Sequence, residues 1–129
     1  MFKKVVLLTL VLLMLFSTPL IAGEKMVITP DSSNAFLSWG SSIGVYGSRF
    51  ICESYSTLAG EYSTSITMKL QKYENGAWVT LESWYDSTYD ATIDSCGGYP
   101  CEPGVFRTYA IHKAGGETKI SYSPNFLYD

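Results

Sequence analysis

Ile66-Thr67-Met68-Lys69-Leu70-Gln71-Lys72-Tyr73-Glu74-Asn75-Gly76-Ala77-Trp78-Val79-Thr80-Leu81-Glu82-Ser83-Trp84-Tyr85 is the stretch that decides the fold. Ile66, Met68 and Leu70 alternate with Thr67, Lys69 and Gln71, the period of a strand with one apolar face. Asn75-Gly76 is the strongest two-residue hairpin signal, because both centres of a type I′ turn require positive φ. A two-residue loop fixes the register. Tyr73 then faces Trp78, Lys72 faces Val79, Gln71 faces Thr80, Leu70 faces Leu81, Lys69 faces Glu82, Met68 faces Ser83, Thr67 faces Trp84 and Ile66 faces Tyr85. Leu70–Leu81 falls on the apolar face and Lys69–Glu82 joins opposite charges on the polar face. A slip of one residue destroys both pairings. The register puts Tyr73, Trp78 and Trp84 together on the polar face.

Short strands continue on both sides of this hairpin. Ala35–Trp39 and Ile43–Tyr46 read as strand pieces separated by Gly40-Ser41-Ser42, and Arg49–Thr57 as a strand followed by a loop over Leu58–Tyr62. Thr88–Asp94 is another strand, and Ser95–Gly104 a loop holding two cysteines. Val105–Lys113 and Glu117–Ser123 form a closing pair joined by Ala114-Gly115-Gly116. About seven antiparallel strands at short, even spacing, with turn residues between them, predict an all-β sandwich or barrel over residues 34–129. Phe50, Cys52, Ile66, Met68, Leu70, Val79, Leu81, Phe106 and Ala110 are the expected core.

The run Phe106-Arg107-Thr108-Tyr109-Ala110-Ile111-His112-Lys113-Ala114-Gly115 resembles the penultimate strand of fibronectin type III domains, and the preceding hairpin resembles their C–C′ region. The likeness covers about half of the domain and implies an immunoglobulin/fibronectin III-like sandwich. In such a sandwich the closing strand lies beside the first hairpin strand, which would add Arg107, Tyr109 and Ile111 to the face carrying Tyr73, Trp78 and Trp84. The Cys96-Gly97-Gly98-Tyr99-Pro100-Cys101 segment is foreign to that family. The chain is also similar to small secreted bacterial proteins of unassigned function. These carry one Ser/Tyr-rich β-domain with a stretch like Gln71-Lys72-Tyr73-Glu74-Asn75-Gly76-Ala77-Trp78-Val79. Neither likeness implies an activity.

Residues 1–22 read as a secretory signal peptide: Lys3 and Lys4, the apolar run Val5–Phe16, the break at Ser17-Thr18-Pro19, and the small residues Ala22-Gly23 for cleavage. The apolar run is short for a membrane span, so no stable membrane insertion is expected after cleavage. Residues 23–33 read as a flexible lead-in, with a short strand expected at Met26–Thr29. Without the leader, seven Lys and Arg face twelve Asp and Glu, which excludes the basic footprint of a nucleic-acid binder. The expected location is extracellular.

Cys52, Cys96 and Cys101 allow three single-disulfide pairings. Cys96–Cys101 is expected, because Gly97-Gly98-Tyr99-Pro100 favours a tight turn, with Cys52 read as a small buried hydrophobe. Zinc held by the three cysteines and His112 is the sharper alternative, and an oxidising compartment disfavours it. His112 otherwise reads as an exposed strand-end histidine. Asp86, Asp90 and Asp94, with Glu102, offer oxygens for calcium but lack the spacing of a dedicated loop. No metal or cofactor is therefore expected. No serine has a nucleophile-elbow context, and no catalytic residue is assigned. The remaining feature is aromatic. Tyr73, Trp78, Trp84, Arg107 and Tyr109 are the candidate contact surface of a non-enzymatic secreted binding module for an extracellular protein or glycan. The alternatives are a small hydrolase using a carboxylate pair and a self-associating envelope component.

Overall fold

The computed structural model describes residues 34–129. The expected leader over 1–22 and the whole lead-in over 23–33, with its Met26–Thr29 strand, lie outside them. Among the described residues there are six strands: β1 (Phe36–Tyr46), β2 (Arg49–Glu74), β3 (Ala77–Pro100), β4 (Gly104–Ala114), β5 (Glu117–Tyr122) and β6 (Phe126–Tyr128). All pairings are antiparallel. The class is all-β, as expected, but the strand count differs because β2 and β3 are long. β2 runs through two expected strands and the loop over Leu58–Tyr62, and β3 through two expected strands and on into the expected loop at Ser95–Gly104.

The length of β2 and β3 explains the architecture. Residues 49–57 of β2 pair with β1 on one side and with residues 92–100 of β3 on the other. Residues 62–74 of β2 pair with residues 77–90 of β3, and residues 64–72 pair with β4, which carries β5 and β6. The β2–β3 register breaks between Thr57 and Tyr62, and there the ribbon turns from one layer into the other. A three-stranded layer thus faces one four strands wide, in which β5 and β6 share the place beyond β4, and the core lies between them. Phe50, Cys52 and Ile93 of the first layer meet Ile66, Met68, Leu70, Phe106 and Ala110 of the second. The Phe50 and Phe106 rings are 4.4 Å apart. A smaller cluster, Ala35, Phe36, Leu58 and Ala114, closes one end, with Trp39 and Tyr62 packed on it.

The turns follow the sequence chemistry. Asn75 and Gly76 have φ of 53° and 82°, as a type I′ hairpin requires. Gly115-Gly116 makes a second two-residue turn, placing Ala114 opposite Glu117. The expected break at Gly40-Ser41-Ser42 is absent, since β1 is continuous and β2 pairs along it. The expected loop over Ser95–Gly104 is mostly strand, because Ser95–Pro100 continue the ladder with Arg49–Ser54.

That continuation corrects the cysteine pairing. No disulfide joins Cys96 to Cys101, or either of them to Cys52. Cys96 lies within β3 and Cys101 just past its end. Five residues of extended chain span roughly 16 Å, against a Cα separation below about 7 Å in any disulfide. Cys52 is fully buried. Burial is the main cause of its thiol pKa being pushed up to about 12, opposed by a hydrogen bond with Thr108.

The core expectation holds for Phe50, Cys52, Ile66, Met68, Leu70, Phe106 and Ala110, all with no exposure. Leu81 is partly buried against them. Val79 is 41% exposed, contrary to expectation. It sits opposite Lys72 near the hairpin tip, and the Lys72 ammonium is held there by Glu102 and Glu74 at 2.7 and 3.4 Å.

Candidate binding face

The central hairpin begins in the expected register: Tyr73 opposite Trp78, Lys72 opposite Val79, Gln71 opposite Thr80. A bulge then falls between Leu70 and Gln71, so Leu70 lies opposite Glu82, Lys69 opposite Ser83 and Met68 opposite Trp84. One inserted residue turns every later side chain of β3 to the other face. Trp84 therefore leaves the expected aromatic group. It packs on the core and against Gly97, where an added Cβ would overlap the indole ring.

The other four candidates meet on the outer face of the four-stranded layer. Gln71 pairs with Arg107, Lys69 with Tyr109, and Tyr109 with Tyr122. The side chains form a continuous ladder. Tyr73 and Trp78 meet edge to face at 5.2 Å. The Arg107 guanidinium lies 4.2 Å from the Trp78 ring and 4.4 Å from the Tyr122 ring. Tyr122 stands 5.1 Å from Tyr109, and the Lys69 ammonium lies 5.9 Å from the Tyr109 ring. Arg107 Nε donates to Gln71 Oε1 at 2.9 Å. Each cation–π contact contributes about 0.5–2 kcal/mol depending on desolvation. The ladder orders its members before any partner arrives, which lowers the entropic cost of binding. Tyr73, Tyr85, Ile120, Tyr122 and Leu127 are exposed on the same face.

Sequence reading missed Tyr122 and Lys69 as members of the ladder. Tyr122 was reachable: a two-residue Gly115-Gly116 turn, counted outward, sets it opposite Tyr109. A cavity of about 500 Å³ opens at the far end of this face, lined among others by Ser65, Tyr85, Ser87, Lys113 and Thr118.

Inside the fold lies a second polar feature. His112 is fully buried, not an exposed strand-end residue. It is in phase with Phe106, Thr108 and Ala110 on β4, all of which point inward. Its Nδ1 lies 2.8 Å from Ser56 Oγ and its Nε2 2.7 Å from Ser121 Oγ. Ser121 Oγ continues to Ser41 Oγ at 2.6 Å, and Ser41 Oγ to Ser54 Oγ at 2.8 Å. Hydroxyls donate or accept as needed, so a neutral imidazole is satisfied at both nitrogens. Burial pushes its pKa down to about 4. Ser56 beside His112 has the makings of a nucleophile–base pair, but Ser56 is 1% exposed and no substrate carbonyl reaches it.

The acidic candidates for calcium do not converge. Asp86 accepts from Ser95 Oγ at 2.6 Å, and Asp90 from the N–H of Ala91. Glu102 is bound to Lys72. Asp94 stands in the half of β3 that belongs to the other layer, opposite Tyr55. Among the described residues no group of three His, Cys, Asp or Glu could hold a metal ion.

No protein-family model matches the chain, and comparison with curated proteins gives no match.

Proposed function

We propose that this protein is a secreted, non-enzymatic binding module with a fibronectin type III-like sandwich, and that the outer face of the four-stranded layer is its contact surface. Support for the architecture comes from β4 lying beside the first strand of the central hairpin, the neighbourhood of the penultimate strand in that family. The unbroken β2 and β3 are a departure from it.

The observation that carries the functional reading is the Tyr73–Trp78–Arg107–Tyr122–Tyr109 ladder. Trp, Tyr and Arg are the side chains that dominate binding hot spots. Here they are ordered on a face that also exposes Ile120 and Leu127. A contiguous apolar surface of this kind marks an interaction site more often than a bare monomer surface. The test is an array of extracellular glycans and purified surface proteins probed with the mature domain. Capture should fall at least tenfold in Trp78→Ala and Arg107→Ala, with circular dichroism unchanged. Equal capture by wild type and both variants would reduce the ladder to a structural role.

A specific observation favours a second reading, self-association. Among the described residues β3 pairs only with β2, so one long edge is left open, and open edges recruit strands. Concentration-dependent sedimentation distinguishes it from the first.

A further inference from the structure

The face proposed above is segregated by charge. Asp and Glu outnumber Lys and Arg twelve to nine in the chain. Yet Lys69, Arg107 and Lys113 stand on the outer face, and no described acid occupies a register position there. Four of the neighbouring carboxylates are engaged by other groups. Glu74 and Glu102 hold Lys72 on the opposite face, and Asp86 takes the Ser95 hydroxyl. Glu117, which borders the end cavity, accepts the N–H of Ala35 at 3.2 Å.

We infer that this face binds an acidic polysaccharide bearing uronate carboxylates, laid along β4 from Arg107 to the cavity at Lys113. The inference rests on the binding-module reading and names its ligand class. Arg107 has its Nε committed to Gln71 and lies between two rings. Its terminal N–H groups are thereby fixed in a planar fork, the geometry that grips a carboxylate with two hydrogen bonds. Lys113 lies six residues further along the same strand, roughly 20 Å away. Lys69 sits between them, beside Tyr109. Charges spaced along a line suit a linear polymer with repeated carboxylates better than a single small anion.

Between and beyond the cations the face presents hydroxyls. Ser65, Ser87, Thr118 and Tyr85 line the cavity with Lys113, and Thr67 and Ser83 lie between that cavity and the ladder. These are donors and acceptors matched to sugar hydroxyls. An acidic peptide would seek a strand edge for its own amides, and this site is a sheet face.

The experiment titrates the mature domain with alginate, a polyuronate, with neutral dextran and with poly-glutamate. Alginate should bind and weaken as salt rises, dextran and poly-glutamate should not, and Arg107→Gln and Lys113→Gln should each reduce alginate affinity about tenfold. Lys113 is exposed, so its variant retains the fold and keeps the test open if Arg107→Gln does not fold. Equal binding of dextran would remove the carboxylate from the recognition. Equal binding of poly-glutamate would reduce the face to an unspecific polyanion surface. Unchanged affinity in Lys113→Gln would overturn the proposed path. Failure of alginate alongside Trp78-dependent capture of another array member overturns this inference while the binding-module reading stands.

Discussion

The indole of Trp84 rests on Gly97, where a side chain would collide with it. Gly97 lies opposite Cys52 in the three-stranded layer, and Trp84 opposite Met68 in the four-stranded one. This contact joins the two halves of β3 across the core. A methyl group at Gly97 must displace the ring. Gly97→Ala should cost about 1–3 kcal/mol, as overpacking does. The cost should shrink when Trp84 is first replaced by Leu. Urea unfolding of the single and double variants measures both.

Leu70 has no exposure and Val79 is 41% exposed. Leu70→Ala should therefore lower stability by about 2–5 kcal/mol. Val79→Ala should change it by no more than about 0.5 kcal/mol, the range of open surface positions. Equal effects in denaturant titrations would mean that the bulge above Leu70 is misplaced.

His112 makes folding stability depend on pH. In the unfolded chain its imidazole takes a proton near pH 6.5, whereas in the fold its pKa is about 4. The unfolded state binds more protons between these values. The contribution is thus fully present above pH 6.5 and is lost as pH falls towards 4, by at most about 3 kcal/mol. The groups facing the ring are the Ser56 and Ser121 hydroxyls, with no counter-charge to hold an imidazolium. Thermal melts from pH 7 to pH 4 should fall more steeply for wild type than for His112→Gln. Parallel curves would place the acid sensitivity in the carboxylates alone.

No disulfide should form among the three cysteines. Denatured protein should titrate three thiols with a disulfide-exchange reagent, and Cys52 should react only on unfolding. Cys96→Ser and Cys101→Ser should leave the melting temperature within a few degrees of wild type. A loss of two hydrogens by intact mass would contradict this.

The hairpin shows where the sequence could be read and where it could not. Asn75-Gly76 dictates its turn locally, and the first three pairs follow from it. The bulge does not follow, because two cross-strand pairs argued against it. Each such pair contributes about 0.2–1 kcal/mol. Moving the Trp84 indole from solvent to the core stabilises by a few kcal/mol at about 25 cal/mol per Å², and burial wins. The loser is the Lys69–Glu82 pairing, and with it Trp84 as a surface residue. The inward phase of His112 was legible from Phe106 and Ala110. Its partner Ser56 was not, since it arrives from a strand distant in sequence, whereas Ser121 stands opposite Ala110 across the Gly115-Gly116 hairpin. The loop expected at Ser95–Gly104 failed for a similar reason. Gly97-Gly98 signals flexibility locally, but Arg49–Ser54 offers a ladder that claims the segment.

The two ends of β4 carry a mechanical consequence. Ala35 packs beside Ala114 at one end, and Tyr128 of β6 pairs with Gly104 at the other. Tension applied between Ala35 and Tyr128 is therefore directed along the strands. Each ladder is loaded sideways, with its hydrogen bonds sharing the force, instead of being unzipped one bond at a time. Because β2 and β3 thread both layers, neither layer can slide away without drawing the same ribbon out of the other. Pulled between those two points, the domain should yield in one abrupt step.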